Sequence, residues 1–209
     1  SPVLGPVSPE EFIPKAEFNG LIHRWGHWAM VEACQQFMQL RSKLPPFAYL
    51  SINLSAMQLQ APGFLEEVQR VLHDTGMPTA ALQFEITESV LISGPDLALR
   101  VMRQLSALGI LFALDDFGEG CSSLGYLQQM PLHVLKIDKN YIGNILAEGT
   151  GRVLLSSIIQ LAHNVGLIVL AEGVETQEQL TFLQQNDCDA LQGYLWGKPM
   201  LLNQWKPLD

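Results

Sequence analysis

Apolar residues along this chain alternate between two periodicities. Ala48–Leu54, Leu82–Thr87, Leu111–Asp115, His133–Asp138, Leu167–Ala171 and Ala190–Leu191 are short, largely apolar runs bounded by polar or turn-forming residues. Strands buried on both faces of a parallel sheet read this way. Between them, apolar residues recur three or four apart: Phe64, Val68, Val71 and Leu72; Leu97, Val101, Leu105 and Leu108; Leu154, Ile158, Leu161 and Val165. That spacing sets one apolar stripe along a helix.

The punctuation agrees. Ser8-Pro9-Glu10-Glu11 predicts a helix start, with Ser8 as N-cap, Pro9 at the first helical position and Glu11 reaching back as a capping box. That helix ends near Gly20. A second runs over Ile22–Ser42 and is stopped by Pro45-Pro46. Gly76 with Pro78, Gly109 and Gly166 close later helices, and Gly94-Pro95-Asp96 and Thr176–Gln179 open others. Ser122–Gln129 predicts a short helix stopped by Pro131. The unit is strand, loop, helix, about six times over, with no linker or domain boundary. It predicts parallel pairing with right-handed crossovers. A barrel and an open doubly wound sheet both satisfy it.

The polar residues separate the two. Asn53, Glu85, Asp115, Lys136, Glu172 and Gln192 each stand at or just past the end of an apolar run, about one βα unit apart. Any one of them has an ordinary explanation as a turn former or solvated side chain, and Asp115-Asp116 alone could cap a helix. All six together are harder to explain singly. In a (β/α)8 barrel such ends meet on one face. An open sheet would spread six of them over roughly 25 Å at the usual strand spacing. The pattern favours a barrel with one acid-rich site. Oxygen ligands without histidine point to Mg²⁺ or Mn²⁺ rather than Zn²⁺. Two ions sharing Asp115 would suit hydrolysis of a phosphodiester. His23 and His27 are four apart, but no acid follows at a zinc-protease spacing, so they read as structural. Trp25 and Trp28 read as core or interface.

Composition narrows the partners. Hydrophobic residues make up 48% and charged residues 16%, which allows a large core with sheet faces covered. A net charge of −9 leaves no basic stripe for polymeric nucleic acid. It does not exclude a small phosphorylated ligand bound through metal ions. Cys34, Cys121 and Cys188 lack metal-ligand spacing and read as free thiols in a reducing compartment. No apolar run is long enough to span a bilayer and no signal peptide opens the chain. A cytoplasmic location is the expectation.

The stretches VSPEEFIPKAE, SINLS, FEITES, LDDFG, LKIDK, AEGVET and QGYLWGKP, in this order, cover essentially the whole chain. Here the sequence resembles the EAL domain family, the cyclic di-GMP phosphodiesterases. The resemblance implies an α/β fold, a modified TIM-like (β/α)8 barrel with one antiparallel strand. It implies a single EAL-type barrel domain over residues 1–209 without its N-terminal portion. The implied reaction opens cyclic di-GMP to linear pGpG with two Mg²⁺ or Mn²⁺ ions. The implied roles are Asn53, Glu85 and Asp115 on one metal, and Asp115, Asp116 and Glu172 on the second. Lys136 would touch the attacking water or the phosphate, and Glu172 is also a general-base candidate. Gln192 would support the site, Glu175 would contact a guanine, and Glu88 would anchor the loop after Asp116. A homodimer through the barrel is implied, with sensor or cyclase domains elsewhere in the parent chain.

Two departures qualify this. No Glu-Ala-Leu occurs in the chain, so one metal-ligating Glu, the two opening strands and an Arg near a ligand phosphate are expected upstream of Ser1. Hydrolysis by residues 1–209 alone is therefore expected to fall below that of the parent. In the loop after Asp116, Glu119 and Cys121 stand where the family commonly has Thr and Tyr. The alternative from another class is an EAL domain that binds cyclic di-GMP as a receptor or regulatory module without cutting it.

Overall fold

The computed structural model describes residues 5, 7–91, 95–117, 128–143 and 149–204. Two helices lead, α1 (Pro9–Phe18) and α2 (Leu21–Leu40). Strand β1 (Leu50–Asn53) follows, then α3 (Ala56–Leu59), α4 (Phe64–Thr75), β2 (Leu82–Thr87), α5 (Pro95–Ala107) and β3 (Leu111–Asp115). The rest is β4 (Val134–Ile137), α6 (Lys139–Gly143), α7 (Thr150–Asn164), β5 (Ile168–Ala171), α8 (Gln177–Gln185) and β6 (Ala190–Leu191). The strands form one sheet in the order β1-β2-β3-β4-β5-β6, every neighbouring pair parallel. The sheet is a curled part-barrel. Six strands are present among the described residues, with β1 and β6 at its edges.

Alternation along the strands divides the interior in two. Phe84 and Ile86, Phe112 and Leu114, Leu135 and Ile137, and Val169 and Ala171 face the helices and are buried there. They share that core with Val68 and Val71 of α4, Leu99, Met102 and Leu105 of α5, and Leu155, Ile159 and Ala162 of α7. Phe64, Phe84 and Phe112 stack in sequence with ring centroids 6.1 and 6.0 Å apart. On the other face, Ala113, Val134 and Leu170 form a separate small cluster that Ala190 joins. This inner layer lies directly below the strand ends.

Helix boundaries follow the expected chemistry with one correction. Ser8 is the N-cap residue of α1 but its hydroxyl makes no capping bond. Glu11 pairs instead with Lys15, one turn on, at 3.0 Å. The full capping boxes lie elsewhere, at Ser55/Gln58 before α3 and Thr176/Gln179 before α8. Pro45-Pro46 ends the second helical stretch as expected, and Arg41 donates to both proline carbonyls at 3.1 and 3.0 Å. Gly76 closes α4 with φ +69°, where any side chain would be strained. Most of the predicted helix Ser122–Gln129 lies outside the described residues.

Trp25 and Trp28 are not core residues. They are 44% and 66% exposed, and Trp25 meets Phe12 edge-on at 5.8 Å. His27 pairs with Glu67 at 2.9 Å and so ties α2 to α4. Cys34 and Cys188 are free, and burial pushes both thiols up to about 11, so they stay neutral. Among the described residues, no helix is long and apolar enough to cross a membrane.

Candidate active site

Because all six strands are parallel, their C-terminal ends open on one side. Glu85, Asp115 and Lys136 lie within β2, β3 and β4, and Glu172 follows β5 by one residue. The alternation that turns Phe84, Leu114 and Ala171 toward the helices turns these four side chains inward. They meet at the Lys136 ammonium. Its Nζ lies 2.6 Å from Glu85 Oε2, 2.8 Å from Glu172 Oε1 and 3.0 Å from Asp115 Oδ1. The Lys136 side chain is 5% exposed, and the three carboxylate side chains are 12%, 14% and 21% exposed. A lysine this buried is tolerated only because it is paired.

Burial works against the charge on Lys136. The hydrogen bonds to Glu172 and Glu85 and the charges of Asp115 and Glu85 outweigh it, and the ammonium is held above its ordinary range. Glu172 moves in the same direction for another reason. Burial raises its carboxyl, Lys136 pulls it down, and the neighbouring Asp115 and Glu85 raise it again, leaving it above the usual carboxylate range. Counted together, one cation and three carboxylates leave the cluster negative.

The backbone around the cluster is fixed. The Glu172 N–H donates to Ile137 O at 3.0 Å. The Asp116 N–H donates to Asp115 Oδ1 at 3.1 Å. Asp116 has φ +53°, in the left-handed region, which turns the chain sharply off β3. Glu85 is also held from behind. Ser51 Oγ donates to Glu85 Oε1 at 2.5 Å, and Gln83 Nε2 donates to Ser51 Oγ at 3.0 Å.

The remaining expected residues are not among the ion pairs of this cluster. Asn53 ends β1 opposite Glu85 in the strand register and is exposed. Gln192 follows β6; its N–H donates to Ala171 O at 2.8 Å and its carbonyl accepts from Val174 at 3.1 Å, while the residue is exposed. Glu175 is exposed just before α8, where its N–H donates to Gln179 Oε1 at 2.8 Å. Glu88 opens a short 3₁₀ turn, Glu88–Leu91. The loop it was expected to anchor, including Glu119 and Cys121, lies outside the described residues.

Sequence reasoning missed three residues. Asp138 is buried two positions past Lys136, so it shares the inward face, and its carboxylate accepts from the Asn140 N–H at 2.7 Å. The alternation in Lys136-Ile137-Asp138 could have revealed it. Ser51 and Gln83 were invisible because an uncharged side chain inside a strand carries no signal of its own.

The donor set fits a hard divalent cation. Three carboxylates converge on one cationic point with negative charge to spare, and no histidine or cysteine is among them. As the side chains stand, no group of three or more His, Cys, Asp or Glu among the described residues is arranged to hold a metal ion. The point of convergence is taken by Lys136. A bound ion would share these carboxylates with the ammonium.

Comparison with known proteins gives the family. The EAL domain model matches residues 1–199. MucR of Pseudomonas aeruginosa, a bifunctional diguanylate cyclase/cyclic di-GMP phosphodiesterase, is 36% identical over 203 residues, covering 97% of this chain and 30% of that protein. A solved structure of the PaMucR phosphodiesterase in complex with cyclic di-GMP superposes with a TM-score of 0.91 at 36% identity, covering 98% of this chain and 83% of that one. The manganese/cyclic di-GMP complex of BlrP1 from Klebsiella pneumoniae gives 0.78 at 28% identity, covering 86% and 45%. The chain spans about a quarter of the length of the first curated relatives it matches, between 24% and 27%. With the family model matching nearly end to end and the strand-end acids in their expected order, the chain belongs to the EAL domain family.

Proposed function

We propose that this chain carries the catalytic face of a metal-dependent phosphodiesterase that hydrolyses cyclic di-GMP to linear pGpG. The observation that carries the reading is the convergence of Glu85, Asp115 and Glu172 on one cationic point at the strand ends. Relatives support it: MucR is a bifunctional diguanylate cyclase/cyclic di-GMP phosphodiesterase, and BlrP1 takes manganese together with cyclic di-GMP.

In this reading Asn53, Glu85 and Asp115 hold one ion, and Asp115, Asp116 and Glu172 hold the second, either Mg²⁺ or Mn²⁺. When bound, such ions polarise the phosphoryl oxygens and lower the pKa of water. The protein supplies the rest. Asp115 and Asp116 offer adjacent carboxylates because the left-handed turn at Asp116 redirects the chain. Lys136 keeps its proton and places a fixed positive charge where negative charge develops on the attacked phosphate. Glu172 is also the candidate to accept a proton from the attacking water. Glu175 contacts a guanine of the ligand, and Gln192 supports the site. Glu88 steadies the loop after Asp116. A homodimer through the barrel, a cytoplasmic location, one EAL-type domain over residues 1–209, and sensor or cyclase domains in the parent protein belong to the same proposal.

The test is turnover of cyclic di-GMP by the parent protein with Mg²⁺ or Mn²⁺, followed by chromatography of the product. Linear pGpG is expected. Tight binding without any product would replace the enzyme by a receptor, and absence of both would overturn the reading.

A further inference from the structure

We propose that Ser51 and Gln83 are positioning residues for Glu85, and that this uncharged pair sets how tightly the strand-end site holds a divalent cation. The metal part rests on the phosphodiesterase reading; the positioning part rests on geometry alone.

Ser51 and Gln83 face each other in the register of β1 and β2. Gln83 is 1% exposed near the start of its strand, where an apolar residue would ordinarily stand. Burying a primary amide is costly unless it is bonded. Its nitrogen has a partner, Ser51 Oγ at 3.0 Å. Its carbonyl oxygen does not, and it is the one such buried side-chain atom among the described residues. The fold therefore keeps this amide for its donor.

The direction of the chain of bonds follows from valence. An amide nitrogen only donates, so the Ser51 hydroxyl accepts from Gln83. The single hydroxyl proton is then free for Glu85 Oε1, 2.5 Å away. The other oxygen, Oε2, lies against Lys136 at 2.6 Å. Glu85 is thus gripped at both oxygens by unlike groups, and its rotamer is set from below by two neutral residues. A carboxylate fixed in this way presents one defined oxygen to a cation rather than sampling several orientations. Groups that orient a metal-binding side chain from behind commonly change affinity as much as some ligands do.

A purely structural role predicts something else. If Ser51 and Gln83 only satisfied each other, removing the hydroxyl would leave Glu85 on Lys136. The experiment uses the parent protein as wild type, Ser51→Ala and Ser51→Thr, with Gln83→Leu as a fourth protein. The first readout is metal-free: the ¹⁵N-edited signal of the Lys136 ammonium and its exchange with water. Faster exchange in S51A, restored in S51T, is expected; unchanged exchange in S51A overturns the positioning role. The second readout is Mn²⁺ binding by calorimetry. S51A should bind about 10- to 100-fold more weakly, with S51T near wild type. S51A should also melt somewhat lower, because the buried Gln83 amide loses its partner along with Glu85. Wild-type affinity in S51A overturns the claim about metal. If wild type itself neither binds Mn²⁺ nor cuts cyclic di-GMP, the phosphodiesterase reading and the metal claim fall together, and the ammonium signal still decides the positioning claim. Should Gln83→Leu fail to fold, the two Ser51 variants carry the test.

Discussion

Lys136 Nζ lies 2.6 Å from Glu85 Oε2 although the two residues are 51 apart in sequence and two strands apart in the sheet. That contact requires curvature, because β3 stands between their strands. The same ammonium reaches Glu172 beyond β5 on the other side. One lysine thus gathers acids from both flanks and makes the curled sheet into a site.

Lys136→Met should uncouple stability from charge balance. Removing the cation leaves three poorly exposed carboxylates without it, a change that costs about 3–5 kcal/mol when a buried pair is broken. Turnover should fall far more than cyclic di-GMP affinity. Mn²⁺ should raise the melting temperature of the variant more than that of wild type, since a ligand that binds only the folded state stabilises it. Thermal melts with and without Mn²⁺ check this, and equal shifts in both proteins would contradict it.

Asp115→Asn keeps the shape of the side chain and its acceptor for the Asp116 N–H. It removes one charge from the acid cluster. Hydrolysis in the parent protein should drop by about a hundredfold or more. Near wild-type turnover at saturating Mg²⁺ would argue against a shared ion at this residue.

Asp116 has φ +53°, and this separates its two roles. Asn tolerates the left-handed region nearly as well as Asp, whereas a β-branched residue there is a genuine outlier. Asp116→Asn should fold normally and lose activity. Asp116→Val should lose activity and also about 1–3 kcal/mol of stability. Urea titrations of both variants distinguish them.

His133 Nδ1 accepts the Phe112 N–H at 3.2 Å just before β4. That nitrogen can accept only when it carries no proton, and burial holds the imidazole below its ordinary value of 6.5. The folded state therefore favours the neutral ring. Its contribution is complete above pH 6.5 and declines as pH falls from there toward the folded-state value. Gln at this position retains an acceptor and does not titrate. Unfolding free energy measured at several values between pH 7.5 and 5 should fall less steeply in His133→Gln than in wild type.

Gly193→Ala tests the rim. A Cβ at Gly193 would stand 2.1 Å from Val174 O and 2.3 Å from Val174 N, both backbone atoms that cannot rotate away. The substitution should cost about 1–3 kcal/mol, as overpacking does. It should also displace Gln192 and Glu175, so cyclic di-GMP affinity should fall with stability. Calorimetric melting and ligand titration check the two effects.

How much of this was legible beforehand depended on whether a residue announces itself. The strands and most helices were readable because Leu111–Leu114 or Phe64–Leu72 carry periodic apolar side chains. Their spans were overestimated by one or two residues where hydrogen bonding stops before the apolar run does, as at Ala48–Leu54 against Leu50–Asn53. Glu85, Asp115, Lys136 and Glu172 were legible as a set because charge at the end of a buried strand is expensive and so informative. That Lys136 would sit in contact with all three acids was not, since the contact depends on sheet curvature. Of the two readings for Trp25 and Trp28, core or interface, the core reading fails, because aromatic size suggests burial while their helix turns them outward. Ser51 and Gln83 gave no signal, because a hydroxyl and an amide within a strand look like ordinary polar positions until their partners are known.

The order of the strands in space equals their order in sequence. Each pairing therefore closes a loop of only one βα unit, and loop-closure entropy stays small at every step. The sheet can grow by accretion, one neighbour at a time. The acid cluster cannot, because it draws on β2, β3, β4 and the end of β5 together. A species with β5 detached would retain three paired strands of the four and have no complete site. Backbone protection in a hydrogen-exchange experiment should accordingly outlast the Lys136 contacts, and catalytic competence should be the last property gained in refolding and the first lost on partial opening.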